Sequence, residues 1–336
     1  MKRALWPALV LAALIFFLVW ADTPGFRHGM VRGPQACAVN QILSLPPDAD
    51  FIVIGSSRAR ESIEPEWLTD ASEGRIRHPM NFARSGKGAA RNFALLDDLL
   101  ARGARPTTVL FEVDLDGLMS DEDPRTIPVE HDVGFQPFTA VLESFVIHPQ
   151  RPLIERLHNV ALKILVKVRT ALVYALSGDA VSHQYQAYRS GGAEAICKTS
   201  LYEVRRRIHI RRYEASIKQF DKLFGPARST AEDDRFSLGE TLHAQTELFH
   251  LEKMRALAAR HQVQLLVTRM WKAGQPPLSQ AALSRIRAVI PEFIYPSAEH
   301  VRDSWENFID ATHLNPKGRE AYSRWLAEEV SRRANL

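Results

Sequence analysis

Two cysteines in 336 residues are too few for a zinc ribbon or a ferredoxin-type cluster, which take about four ligands each. No G-x-G-x-x-G follows the first apolar run, which leaves out a dinucleotide loop. The segment Ser85-Gly86-Lys87-Gly88 lacks the first glycine of a P-loop and has glycine where Ser or Thr should follow the lysine. Internal repeats and low-complexity tracts are also missing. With 46% hydrophobic and 24% charged residues the composition is ordinary, which excludes collagen, coiled coil and wholesale disorder. Neither charge dominates: 43 Lys and Arg stand against 39 Asp and Glu, a net +4. That mild excess invites a nucleic-acid reading only if it is concentrated on one functional surface.

What the chain does have begins at its start. Lys2 and Arg3 precede an uncharged run from Ala4 to Ala21, long enough as a helix to cross about 27 Å of hydrocarbon. Residues 1–22 therefore read as a signal anchor, with a signal peptide cut after Ala21 as the other reading. The basic residues keep the short N-terminal side cytoplasmic, so the remainder is expected on the extracytoplasmic, periplasmic face. Export makes nucleic acid an unexpected partner. It also leaves Cys37 and Cys197 open to two states, a disulfide or two free thiols.

Residues 23–49 are rich in Pro and Gly with little periodicity, and read as a linker. From residue 50 to 336 the pattern is a single α/β domain. Phe51–Gly55, Thr107–Val113 and Val263–Thr268 are short apolar runs, with Phe293–Tyr295 and Arg77–Ala83 weaker ones. Helical patterns at Gly88–Arg102, Leu238–His261, Leu278–Ile290 and Pro316–Arg333 separate them. Strands alternating with helices predict a parallel sheet covered on both faces. The alternation stops between about 118 and 237, which reads as a helical insertion after the third strand. In it, Leu153–Leu176 is amphipathic, with Arg156, Lys163 and Lys167 on one side. It is expected to cover the sheet, with an interfacial membrane helix as the alternative.

Three short segments carry chemistry. Gly55-Ser56-Ser57-Arg58 follows the first strand, at the sheet edge where open α/β folds bind ligands and where a helix N-terminus can stabilise an oxyanion. Asn81-Phe82-Ala83-Arg84-Ser85-Gly86 places a glycine where backbone can approach a reacting group. In Asp310-Ala311-Thr312-His313-Leu314-Asn315-Pro316, Asn315 is a good N-cap and Pro316 a good first helical residue, so His313 lies on the loop entering the last helix. The three-residue offset lets Asp310 reach Nδ1–H of His313 and leaves Nε2 to accept a serine proton. Taken alone, each has a plain alternative: a Gly-Ser turn, a glycine loop, a cap beside a surface histidine.

Together, in this order, the segments resemble the SGNH (GDSL-like) hydrolase superfamily over about residues 50–117 and 260–334. The resemblance implies a flavodoxin-like three-layer sandwich with a parallel sheet. It implies Ser57 as nucleophile, with Ser56 standing where the family has Asp. Gly86 and Ser57 would supply oxyanion N–H groups, and Asp310 and His313 the orienting acid and the base. The family's Gly-x-Asn-Asp block should follow Thr107–Val113, but Glu112-Val113-Asp114-Leu115-Asp116-Gly117 stands there. Losing one oxyanion donor typically costs about 2.7–4 kcal/mol. Arg58, Arg84 and Asn92 are the candidates to replace it. The anchor and the insertion make the chain similar to a narrower set of envelope proteins. These work beside membrane-bound O-acyltransferases, as in lipoteichoic-acid D-alanylation and alginate O-acetylation. That similarity implies an esterase or acyltransferase on O-acyl groups, acetyl foremost, of an envelope polysaccharide. The alternative is a non-catalytic scaffold binding glycan or a membrane O-acyltransferase.

Other features add less. Arg58 and Trp271 are candidate substrate contacts. The basic run Arg205–Arg212 reads as a solvated helix face, with anionic glycan or lipid headgroups as the alternative. Glu240, His243, Glu247 and His250 share a helix face that fits a wet surface better than a metal site, because H-E-x-x-H is missing. No cofactor and no metal are expected.

Overall fold

The computed structural model describes residues 48–83, 88–113, 138–147, 149–177, 242–271, 278–296, 307–308 and 313–333. The expected anchor, nearly all of the expected linker, both cysteines and the basic run 205–212 lie outside the described residues.

Five strands, β1 (Phe51–Ile54), β2 (Pro79–Asn81), β3 (Thr108–Glu112), β4 (Gln264–Thr268) and β5 (Phe293–Ile294), form one sheet in the order β2-β1-β3-β4-β5. Every pairing is parallel. The five strand runs expected from the sequence are these five, each shortened at one or both ends. The apolar stretches of β1 and β3 follow from burial on both faces.

Successive strand residues point to opposite faces, and two separate cores result. On one face Ile52, Ile54, Val109, Phe111 and Val267 meet α3 (Ala89–Ala101), α6 (Leu242–Arg260) and α7 (Gln280–Val289). On the other, Phe51, Val53, Leu110, Leu266 and Ile294 meet α1 (Ser57–Ser62), α2 (Pro65–Ala71) and α8 (Pro316–Arg333). The described chain is thus a three-layer α/β arrangement. The sequence patterns anticipate α3, α6, α7 and α8 but not α1 or α2, which are too short to show a helical period.

Between β3 and β4 lie α4 (Phe138–Ile147) and α5 (Leu153–Ser177), packed on each other. Helix α4 attaches to α6 through Glu143, whose Oε1 accepts from Lys253 Nζ at 2.5 Å. The other Glu143 oxygen is 3.5 Å from His250 Nε2. Burial alone would raise the Glu143 pKa, but these two basic partners outweigh it and lower it. Among the described residues α5 contributes no side chain to either core of the sheet, although its leucines suggest that it covers it. Its buried side is polar: Asn159, Lys163 and Lys167 are 3%, 5% and 0% exposed. Ile154 and Leu165, in contrast, are 74% and 63% exposed.

The helix face around His250 also departs from expectation. Glu247 and His250 are buried rather than wet. Glu247 Oε1 accepts the backbone N–H of Ala89 at 2.9 Å and so caps α3 from a neighbouring helix. Among the described residues no group of three or more His, Cys, Asp or Glu is arranged to hold a metal.

Candidate functional site

The strand order reverses direction between β1 and β3, and in parallel sheets the crevice beyond the carboxyl ends at such a point is where ligands bind. Ser57 follows β1 at that point, and Glu112 ends β3 beside it. Gly55 makes the turn. Its φ is +154°, and a Cβ there would lie 2.7 Å from Glu112 Cβ and 2.9 Å from Glu112 Oε2. Only glycine lets the loop pass so close to that side chain. Ser56 then caps α1, its Oγ accepting from Arg58 N at 3.1 Å, which leaves Ser57 as the first helical residue.

Glu112 is the floor of this loop. Its Oε2 accepts the Ser56 N–H at 2.6 Å, and its Oε1 lies 3.0 Å from Arg58 Nε. Both side chains are buried. The Arg58–Oε1 contact is close but poorly aligned as a hydrogen bond, so the charge pairing carries most of it. Arg58, a candidate substrate contact or oxyanion donor by sequence, is therefore engaged beneath the serine by Glu112.

His313 comes from the opposite end of the chain. Asn315 Oδ1 accepts from Gly318 N at 3.0 Å, and α8 begins at Pro316, as the sequence predicts. The entry loop is pinned twice more. Phe308 and Leu314 form an antiparallel bridge, and Asn315 N donates to Asn307 O at 2.8 Å. Gly318 is needed for this approach, because a Cβ there would fall 2.2 Å from the Asn307 carbonyl oxygen. Held in this way, His313 Nε2 lies 3.1 Å from Ser57 Oγ, across 256 residues of sequence. With the ring neutral and its proton on Nδ1, the serine hydroxyl donates to Nε2.

A buried clamp fixes the two supporting helices relative to each other. Arg319, in the first turns of α8, donates Nε to Glu61 O at 2.8 Å and Nη1 to Glu64 Oε2 at 2.9 Å. Ser323 Oγ accepts the Glu64 N–H at 3.0 Å. Asn81 ties β2 to the same end of α1, its Nδ2 donating to Ile63 O at 2.8 Å. Deeper in, Tyr322 is fully buried and shares a 2.9 Å hydrogen bond with Thr268. Burial pushes its hydroxyl pKa well above the usual value, the nearby Glu112 charge adds to this, and the Thr268 bond opposes it.

Of the other site candidates, Asn92 is buried on α3 and donates Nδ2 to Gly88 O at 3.1 Å, one turn back in its own helix. Trp271 follows β4, buried and stacked on Tyr295 at 5.9 Å, with its indole N–H lacking an acceptor among the described residues. Arg84, Gly86 and Asp310 lie outside the described residues. Sequence reasoning passed over Glu112 and Arg319 as working parts. A charged residue closing an otherwise apolar strand was the available signal for Glu112. For Arg319 there was none beyond its position three residues before Tyr322.

No protein-family model matches the chain, and a search of curated proteins finds no match either.

Proposed function

We propose that the chain is an SGNH-type serine acyltransferase or esterase, an exported protein held at the membrane by residues 1–22. Its substrate class is the O-acyl groups, acetyl foremost, of an envelope polysaccharide. The observation that carries the reading is the 3.1 Å approach of His313 Nε2 to Ser57 Oγ at the sheet's switch point. The three-layer arrangement and the strand order, that of flavodoxin-like sheets, support the SGNH fold.

In this reading His313 takes the Ser57 proton as the oxygen attacks the acyl carbonyl, then returns it to the leaving alkoxide. Attack of an acceptor hydroxyl, glycan or water, on the acyl-serine reverses the proton path and frees Ser57. Asp310 orients the imidazole. The backbone N–H of Ser57, unused within its helix, and that of Gly86 receive the oxyanion. Glu112 and Arg58 hold the serine loop instead of offering the family's asparagine amide. Envelope glycan, the membrane and a membrane-bound O-acyltransferase are the partners, and no metal or cofactor enters the scheme.

The competing reading is a scaffold that binds glycan or the acyltransferase without chemistry. Glu112-Val113-Asp114 favours it, since no asparagine stands where the family's third block should be. Envelope O-acylation in cells carrying His313→Ala separates the two. The enzyme reading expects acylation to fall to background, while unchanged acylation removes it.

A further inference from the structure

Glu112 is 3% exposed, in a place where an unpaired anion would be costly. It ends β3, and just beyond it Val113 N donates to Thr268 O at 2.9 Å, so its backbone is tied to β4. Ile54 pairs with Phe111 across β1 and β3, which sets Glu112 one step further on, alongside Gly55. From this rigid position one oxygen, Oε2, accepts the Ser56 N–H at 2.6 Å. Ser56 Oγ in turn accepts from Arg58 N at 3.1 Å. Ser56 is thus held by its N–H and by its hydroxyl, and Ser57 follows it with Oγ 3.1 Å from His313 Nε2.

The other oxygen lies 3.0 Å from Arg58 Nε, near enough for charge pairing but not aligned as a hydrogen bond. The effect of that contact is therefore on charge more than on the hold of the loop. When Ser57 Oγ bonds to an acyl carbon, its proton passes to His313 and the carbonyl oxygen takes the electron pair as an oxyanion. One residue of chain spans at most about 3.8 Å, which keeps Oε2 within about 7 Å of the Ser57 N–H that would receive this oxyanion. At that range in a buried site two negative charges repel each other.

We propose that Glu112 is a positioning residue for the Ser57 nucleophile and that Arg58 is its counter-charge, so that no net negative charge stands behind the oxyanion. The inference rests on the reading of Ser57 and His313 as an acyl-transfer pair and extends it. It reconciles two demands on one carboxylate: a strong acceptor for the loop, and no penalty for the charge that develops above it. It also assigns Arg58 an action through Glu112, in place of the direct substrate or oxyanion contact considered from sequence.

The test is the saturation kinetics of Ser57 labelling by an alkyl fluorophosphonate, in which fluoride leaves as Ser57 Oγ bonds to phosphorus. The full chain is compared with Arg58→Gln, Glu112→Gln, Glu112→Ala and the double variant Arg58→Gln/Glu112→Gln, each shown to be folded by circular dichroism. Arg58→Gln leaves the carboxylate uncompensated. Its rate at saturating reagent should fall about 10²-fold, with little change in the half-saturating concentration. A loss seen only in the half-saturating concentration would mark a binding contact and overturn the counter-charge. In the Glu112→Gln background, removing Arg58 should change the rate by less than about threefold. That comparison stands even if Arg58→Gln alone does not fold, and a further fall of about 10²-fold there would make Arg58 a direct donor. Glutamine still offers an oxygen to the Ser56 N–H, so Glu112→Gln should label at least about tenfold faster than Glu112→Ala. Equal rates in those two overturn the positioning role. A native chain that is not labelled sinks the serine reading and this inference together, whereas a labelled native chain without the variant pattern sinks this inference alone.

Discussion

Helix α8 turns Tyr322, Trp325, Leu326 and Val330 toward the sheet and keeps Arg324 in water. Helix α5 turns Asn159, Lys163 and Lys167 inward and leaves Ile154, Leu157 and Leu165 outside. Both are amphipathic in sequence, yet they use opposite sides. The difference teaches that amphipathicity tells only that a helix has two faces. Which face is buried depends on what it is packed against. Helix α8 lies on an apolar sheet, whereas α5 packs on α4, where Arg156 donates to Phe145 O at 2.7 Å and lies over the Phe145 ring. A basic side chain satisfied in this way makes the polar face of α5 the inner one.

Substitutions on the two helices sharpen or break that contrast. The largest effect is expected at Trp325→Ala, which empties a packed site against Tyr322 and should cost about 3–5 kcal/mol in urea unfolding. A loss below about 1 kcal/mol would mean that α8 is not a core helix. Next comes Arg319→Ala, which strips Glu61 and Glu64 of the clamp. About 2–3 kcal/mol is expected, less than for a wholly buried pair because Glu64 is a third exposed. Serine reactivity should also slow in this variant, since α1 loses its register with α8.

Tyr322→Phe is a smaller change, about 1 kcal/mol for the lost bond to Thr268. Its signature is in the pH profile. A hydroxyl whose folded pKa lies above its unfolded value of about 10 contributes stability that is intact below that pH and lost as pH rises above it. The native chain should therefore lose stability above pH ~10 more steeply than the Phe variant. Parallel profiles would contradict the buried placement. The smallest effect is expected at the exposed Leu165→Ala on α5, within about 0.5 kcal/mol. A cost like that of Trp325→Ala would show that the α5 leucines are buried in solution after all.

Much of the fold was legible because its signals are local. Short apolar runs such as Phe51–Ile54 and Val109–Phe111, too short for helices and bounded by turn residues, read as strands buried on both faces, and Asn315-Pro316 marks the start of α8 by its own chemistry. The pairing of Ser57 with His313 was legible only through the order of motifs, since nothing local joins residues 256 apart. What sequence could not convey is long-range and polar. Glu247 capping α3, Arg319 gripping α1 and Glu112 beneath the serine loop each satisfy groups on another element. Their partners are set by tertiary placement, not by spacing. The buried side of α5 belongs to the same class, because both faces are written in the sequence but not the choice between them.

The central claim is that Ser57, activated by His313, is a nucleophile. The most direct measurement is labelling of the full chain by a fluorophosphonate, with the modified residue located by peptide mass. The account predicts an adduct on Ser57 that disappears in Ser57→Ala and falls by at least about 10⁴-fold in rate in His313→Ala. An adduct on Ser56, equal labelling of Ser57→Ala, or no labelling of the native chain would contradict it.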